Sequence, residues 1–353
     1  ASDVYKRQHL MNNSAIIKKM AMKIKLLNLS LVVAATVILA ACTKERDIND
    51  AGNLVPKTVE QDVSLPSIAV NGTQLHAEAF GQPDDALLIV LHGGPGADYR
   101  YLLNCKGFAN QGYRVVFYDQ RGSGLSKRHS KDSYSLQLMY DDLTAVVTHY
   151  RTSPTQKVFL LGHSWGAMLA TAYINQYPTR INGVVLAEPG GFVWQDVLDY
   201  VKRSRDIKFT SELLNDLLYA DQFLTGKESE HAILDYKYGL LGIAEGSKDS
   251  PTGDEGTPPV WRPGAIVNKA LFDIGERDKP DWTKNLSQYS TKVLFVYSEN
   301  NKAYGLAHAQ KVSSPYPNRQ LLKVNGAGHN MISFPTGWNN FYPTALTYLN
   351  SLK

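Results

Sequence analysis

The stretch "LLGHSWGAMLATAY" (Leu160–Tyr173) decides how this chain folds. An apolar run ends in Gly162-His163-Ser164-Trp165-Gly166, and a helical pattern follows at once. G-x-S-x-G between a strand and a helix is the setting in which a serine sits on a strained turn with its oxygen exposed. The flanking glycines leave room for the turn. The next backbone N–H, at Trp165, is then aimed at a developing oxyanion. Ser164 is the expected nucleophile and Trp165 one expected oxyanion donor.

Working outward, four apolar runs, 86–92, 113–119, 157–163 and 181–188, are separated by helix-like stretches near 97–110, 135–152 and 165–177. Two further runs, 292–298 and 320–326, are each followed by a helical pattern. Apolar strands alternating with helices predict a mostly parallel sheet covered on both faces. Ahead of them, "SIAVNGTQLHAEAFG" carries Asn71-Gly72 between alternating residues, which predicts a hairpin. Residues 190–285 break the rhythm, with charged and aromatic side chains and the loop "EGSKDSPTGDEGTPPVWRPG". They read as a mainly helical cap inserted into a core formed by 66–189 and 286–353, with that loop exposed and mobile.

The 353 residues suffice for one large α/β domain plus a lid or tether. The formal charge of +4 belongs to the start of the chain. Residues 1–41 hold six of the 37 Lys/Arg and one of the 33 Asp/Glu, which leaves 31 bases against 32 acids. The remainder gives no reason to expect nucleic acid. Within the leader, "MAMKIKLLNLSLVVAATVILAAC" has a basic start, an apolar run and small residues before Cys42, the plan of a secretory signal. Its ending "LAAC" resembles a bacterial lipoprotein box. That implies a lipidated Cys42, a flexible tether over 42–65 and anchoring on the cell envelope, facing the periplasm or the outside. "DVYKRQ" within residues 1–8 resembles a translated sequencing-adapter end, with translation expected to begin at Met11, Met20 or Met22. Cys105, the one other cysteine, reads as a buried apolar residue. No H-E-x-x-H, Cys/His cluster or dinucleotide fingerprint calls for a metal or a cofactor.

Two more motifs join Ser164. "LHGGPGADY" (Leu91–Tyr99) follows a strand and lets the backbone approach a substrate, with Gly94 the second expected oxyanion donor. "GAGHN" (Gly326–Asn330) follows the last strand and offers His329 as general base. His92 and His163 read as structural. Taken in order, "HGGPG", "YDQRGSGLS" (Tyr118–Ser126) and "GHSWG" resemble the α/β-hydrolases, and within them the proline iminopeptidase-like branch. The resemblance covers about 66–189 and 291–353. It implies an α/β-hydrolase fold and serine hydrolysis, with Asp119 and Arg121 bracing loops beneath the site.

In most members of that family an acid follows the penultimate strand. Here "YSENN" puts Asn301 at that position. Glu188, ending the apolar run of "RINGVVLAEPGG", is the favoured substitute, because the haloalkane dehalogenases resemble this segment and place an acid there. Glu299 is the alternative acid, and Asn301 alone or an inactive site stay open. Dehalogenase and epoxide hydrolase chemistry needs an Asp nucleophile, whereas position 164 is Ser. The expected activity is release of an N-terminal residue, often proline, from small peptides. The alternatives are a carboxylesterase or lactonase on small esters and an inactive binding module. An aminopeptidase needs cap acids for the substrate amine, and Glu212, Asp216, Asp221 and Asp235 are available. The cap aromatics Trp194, Tyr200, Phe209, Tyr219, Phe223, Tyr236 and Tyr238 are candidates for a pocket wall or for helix packing. Oligomeric state is left open.

Overall fold

The computed structural model describes residues 54–204, 228–245 and 250–353, without the side chains of 241 and 243–245. The expected leader, Cys42, the acids Glu212, Asp216 and Asp221, and Phe209, Tyr219 and Phe223 lie outside the described residues. Among the described residues no helix is long and apolar enough to cross a membrane.

Eight strands form one sheet in the order β1-β2-β4-β3-β5-β6-β7-β8. β1 (Ser67–Val70) and β2 (Thr73–Phe80) make the expected hairpin. Its turn residues Asn71 and Gly72 both have positive φ, which suits the right-handed twist of the two strands. β2 pairs antiparallel with β4 (Tyr113–Tyr118). All other pairings are parallel, through β3 (Ala86–Leu91), β5 (Val158–His163), β6 (Gly183–Ala187), β7 (Val293–Ser298) and β8 (Arg319–Val324).

Strand residues alternate between two cores. Leu87, Ile89 and Leu91 pack on one face of the sheet, while Leu88 and Val90 pack on the other. The near-continuous apolar runs follow from burial on both faces. Cys105 is fully buried in the second core. The helices are α1 (Leu136–Tyr150), α2 (Trp165–Gln176), α3 (Trp194–Ser204), α4 (Glu230–Glu245), α5 (Ala265–Asp278), α6 (Gly305–Ser313) and α7 (Pro335–Asn350). The stretch expected to be helical near 97–110 is a 3₁₀ segment, Tyr99–Gln111, capped by the Asp98 side chain, which accepts from the Arg100 N–H.

Two expectations need correction. The end of the expected tether is packed down. Thr58 and Val59 are buried, the Val59 N–H donates to the Leu125 carbonyl, and Arg262 Nη1 donates to the Pro56 carbonyl. The Gly/Pro/Asp-rich loop is held down at both ends of its described part, with Thr257 and Pro259 exposed between them. Gly253, Asp254 and Arg262 are buried, and backbone bonds tie the loop to both sides of the site. Its polar composition reads as surface, but several of its polar groups bond neighbouring turns, as Asp254 does with Asn330.

Candidate active site

The parallel strands deliver the site residues at their carboxyl ends, where open α/β sheets bind ligands. His163 closes β5 and is paired with Ala187 of β6, so Ser164 and Glu188 leave adjacent strands at the same level. The Ser164 N–H donates to the Ala187 carbonyl (2.8 Å), and the Glu188 N–H donates to the Val296 carbonyl (3.0 Å). Of the four described non-glycine residues at positive φ, two are Ser164 (55°) and Glu188 (46°). Such backbone costs about 1–3 kcal/mol per residue and persists only where the surroundings enforce it. Here the enforcement includes close glycine contacts. A Cβ on Gly166 would overlap the Leu91 carbonyl, and one on Gly162 would overlap the Gly166 carbonyl.

Glu188 is fully buried and accepts four hydrogen bonds. Oε1 takes the Ser298 N–H (2.7 Å) and the Ser298 hydroxyl (2.6 Å). Oε2 takes Asn301 Nδ2 (2.8 Å) and His329 Nδ1 (2.7 Å). The residue at the position where the family resemblance expects an acid is therefore a donor to the acid that is present. The Tyr304 N–H donates to Asn301 Oδ1 (3.2 Å), which fixes which end of the amide faces Glu188. Glu299 is not brought to His329. It is 43% exposed and accepts from Lys323 Nζ (2.7 Å) and the Gly326 N–H (2.9 Å).

Burial pushes the His329 pKa down. The Glu188 hydrogen bond and charge, helped by the charge of Asp254, outweigh it and hold His329 above the ordinary histidine value. His163 serves the frame. Its Nε2–H donates to the His329 carbonyl and its Nδ1 accepts from the Tyr101 hydroxyl, both at 2.8 Å; that hydroxyl in turn accepts from the Gly93 N–H (2.7 Å). The Gly-rich turn and the His329 turn are thus tied through one imidazole, which burial keeps neutral. His92 is a brace as well. Its Nε2 accepts from the Gln120 N–H, and its Nδ1–H donates to the Gly93 carbonyl.

The "DQRG" turn is likewise structural. Asp119 accepts from the Tyr99 and Leu125 N–H groups and from His76, and Arg121 pairs with Asp142. Asp235, one of the expected amine-binding acids, is spent on Arg128, Arg262 and the Ala265 N–H.

Sequence reasoning missed the role of residues 250–264. The His329 N–H donates to the Thr252 carbonyl, while Asp254 accepts both the Asn330 N–H (2.6 Å) and its side-chain amide (3.0 Å). At the far end the Gly264 N–H donates to the Gly96 carbonyl, and the Trp261 and Arg262 N–H groups donate to Asp98. One segment clamps both the His329 turn and the Gly-rich turn. Gly253, whose Cβ would overlap the Asn300 carbonyl, was the available signal of a close approach.

Ser164 and His329 line one cavity of about 210 Å³, together with Gly94 and Trp165. As the first residue of α2, Trp165 has an N–H without an intrahelical acceptor. The rest of the wall is largely apolar, with Met168, Val197, Leu271 and Phe272. Trp194, Tyr200 and Tyr238 of the cap also reach it. The described part of the wall carries no Asp, Glu, Lys or Arg.

Residues 82–235 match the family described as "Serine aminopeptidase, S33". The chain is 31% identical over 273 residues to proline iminopeptidase PfmaB of Pestalotiopsis fici, covering 75% of this chain and 92% of that protein. It is 36% identical over 104 residues to a proline iminopeptidase of Thermoplasma volcanium, 30% of this chain and 35% of the relative. With an AB hydrolase superfamily protein of Bacillus subtilis, 42% of the relative is covered, so these two matches span less than half of the relatives' length. The fold is similar to that of the enol-lactonase from Burkholderia xenovorans LB400, with a TM-score of 0.54, 17% identity, and coverage of 81% of this chain and all of that one. With a parallel sheet that delivers the site residues at its strand ends, and a relative matched over nearly its whole length, the chain belongs to the α/β-hydrolase superfamily.

Proposed function

We propose that this hydrolase works through an acyl-enzyme on Ser164, with His329 as general base and Glu188 as the acid of the triad. The carrying observation is the 2.7 Å contact between His329 Nδ1 and Glu188 Oε2 beside a cavity that Ser164 and His329 share. The short bond to the carboxylate keeps the proton on Nδ1 and leaves Nε2 free to accept the Ser164 proton. Ser164 Oγ attacks the acyl carbon, and the carbonyl oxygen becomes an oxyanion held by the Trp165 and Gly94 N–H groups. His329 then gives the proton to the leaving group. Water, activated by the same imidazole, releases the acid and frees the serine.

The substrate class in this reading is a small peptide that loses its N-terminal residue, proline above all. Similarity to proline iminopeptidases supports it. A small ester is the second reading, and the apolar, uncharged character of the described cavity wall favours it. Turnover of proline p-nitroanilide beside p-nitrophenyl acetate separates the two. Anilide cleavage supports the aminopeptidase, and ester cleavage alone removes that assignment.

Two further outcomes follow. His329 must be neutral to accept a proton, and its pKa is held above the ordinary value. The rate should therefore fall as pH drops through that raised pKa, so the acid limb of kcat/KM lies above the ~6.5 of an unperturbed histidine. In Glu188→Gln the group that raises it is gone, and the limb should move to lower pH. A limb that stays put in both proteins would count against the pairing.

The second concerns Asn301→Asp, which restores the residue type usual in the family. It would set a second carboxylate against Glu188 Oε2, where the amide now donates at 2.8 Å. Two carboxylates in contact cannot both ionise freely, so they would share a proton at neutral pH. Activity at pH 7 should fall about tenfold or more, as is usual when a buried donor is exchanged for a like charge. Steady-state kinetics from pH 6 to 9 would show it, and an Asn301→Asp enzyme faster than its parent would refute this account of the acid.

A further inference from the structure

We propose that the Tyr200 hydroxyl on α3 binds the acyl portion of the substrate, and that this portion is uncharged and carries a hydrogen-bond acceptor such as an ether, hydroxyl or keto oxygen. The proposal rests on the serine-hydrolase reading of the same cavity with an ester as substrate, since an aminopeptidase substrate would carry a protonated amine on its acyl portion.

Tyr200 is buried, lines the cavity, and has two neighbours at its oxygen. Asn301 Nδ2 lies at 3.2 Å and can only donate, because its amide orientation is fixed by the Tyr304 N–H. His329 Nδ1, also at 3.2 Å, carries its hydrogen toward Glu188 Oε2 at 2.7 Å. Both neighbours are donors, so the Tyr200 oxygen is used as an acceptor. Its own hydrogen has no acceptor among the described residues. The ring of Tyr200, one of the residues that line the cavity, is held by Tyr304 (centroids 5.3 Å apart) and stacks on His308 (5.7 Å, 23°).

Buried donors are normally paired, so a hydroxyl hydrogen left without an acceptor points to a ligand atom that pairs it. Other polar side chains at the wall are spent. The Ser204 hydroxyl donates to the Val201 carbonyl, Asn268 Nδ2 to the Pro95 carbonyl, and the Thr252 hydroxyl to Asp254. An apolar wall with a donor and no described charge selects a neutral group with an acceptor, and discriminates against an analogue that leaves the donor unpaired.

The test compares p-nitrophenyl methoxyacetate with p-nitrophenyl butyrate, which differ by one ether oxygen in place of a methylene. In the full wild-type chain, with each rate divided by that ester's hydroxide-catalysed rate, kcat/KM should favour methoxyacetate about fivefold, the worth of one neutral hydrogen bond. In Tyr200→Phe that preference should collapse by about the same factor, whatever the variant does to both esters together. A purely positioning role through His329 would slow both esters equally and leave the ratio unchanged, which would overturn the proposal. So would a wild type with no preference, a measurement that needs no variant to fold. Failure to cleave either ester, with no labelling of Ser164 by a fluorophosphonate, would overturn the serine-hydrolase reading itself and this proposal with it.

Discussion

Replacing Glu188 with glutamine should lower kcat by about 10⁴-fold, with little change in KM, while Glu299→Gln should stay within about twofold of the parent. The magnitude follows from where the glutamine amide would settle. The Oε1 position faces two donors, the backbone N–H and the hydroxyl of Ser298. The amide oxygen goes there, because an NH₂ in that place would leave a backbone N–H buried without an acceptor. The NH₂ then faces Asn301 Nδ2 and His329 Nδ1, both donors at present. To avoid that clash the imidazole must move its proton to Nε2, the nitrogen that has to be free for Ser164. The variant keeps its shape and loses the productive tautomer. Glu299 has no such lever, since its partners are Lys323 and Gly326 at the surface. Steady-state kinetics of the two variants on one substrate suffice. The reverse pattern, with Glu299→Gln crippled and Glu188→Gln active, would remove Glu188 from the mechanism.

Ser164→Ala should cost about 10⁶-fold in kcat. Its effect should not multiply with that of His329→Ala, because a base without a nucleophile, or a nucleophile without a base, is already disabled. The double variant should be about as slow as either single one, retaining whatever the oxyanion donors and binding supply. Independent contributions would instead multiply, and a product near the square of the single effects would show that the two residues do not act as a unit. The comparison also addresses the inactive binding-module alternative. A module that only binds would show no turnover for either substitution to remove.

Much of the fold could be read in the residues, for physical reasons that also mark where reading stops. The strands of the parallel sheet are buried on both faces, so 86–92, 157–163 and 292–298 stand out as continuous apolar runs. Asn71-Gly72 announced its turn because few other pairs tolerate positive φ twice in a row. Ser164, His329 and the Gly-rich turn were legible because each follows a strand end, and Glu188 because a carboxylate closing an apolar strand needs partners to be buried. The partners themselves were not legible. Asn301 reads as a lost acid, and only its 2.8 Å contact shows it as a donor to the acid that is present. Tyr200 was one aromatic among several on the cap, and helical spacing alone cannot tell a core ring from one whose hydroxyl meets the site. Asp235 was as plausible an amine binder as any cap acid until Arg128 and Arg262 were found on it. Residues 250–264 misled most. Gly, Pro and Asp signal turns, and turns are usually exposed. Here the same residues let backbone approach backbone at Gly253 and Gly264, so the segment clamps the His329 turn against the Gly-rich turn.

Ser164, activated by His329 and Glu188, is the proposed nucleophile. The most direct measurement is reaction of the full chain with a fluorophosphonate, followed by mass analysis of the peptides. One adduct is expected, on the peptide that contains Ser164, forming far more slowly in Glu188→Gln and not at all in Ser164→Ala. An adduct on another residue, or an unmodified Ser164 in the wild-type chain, would contradict it.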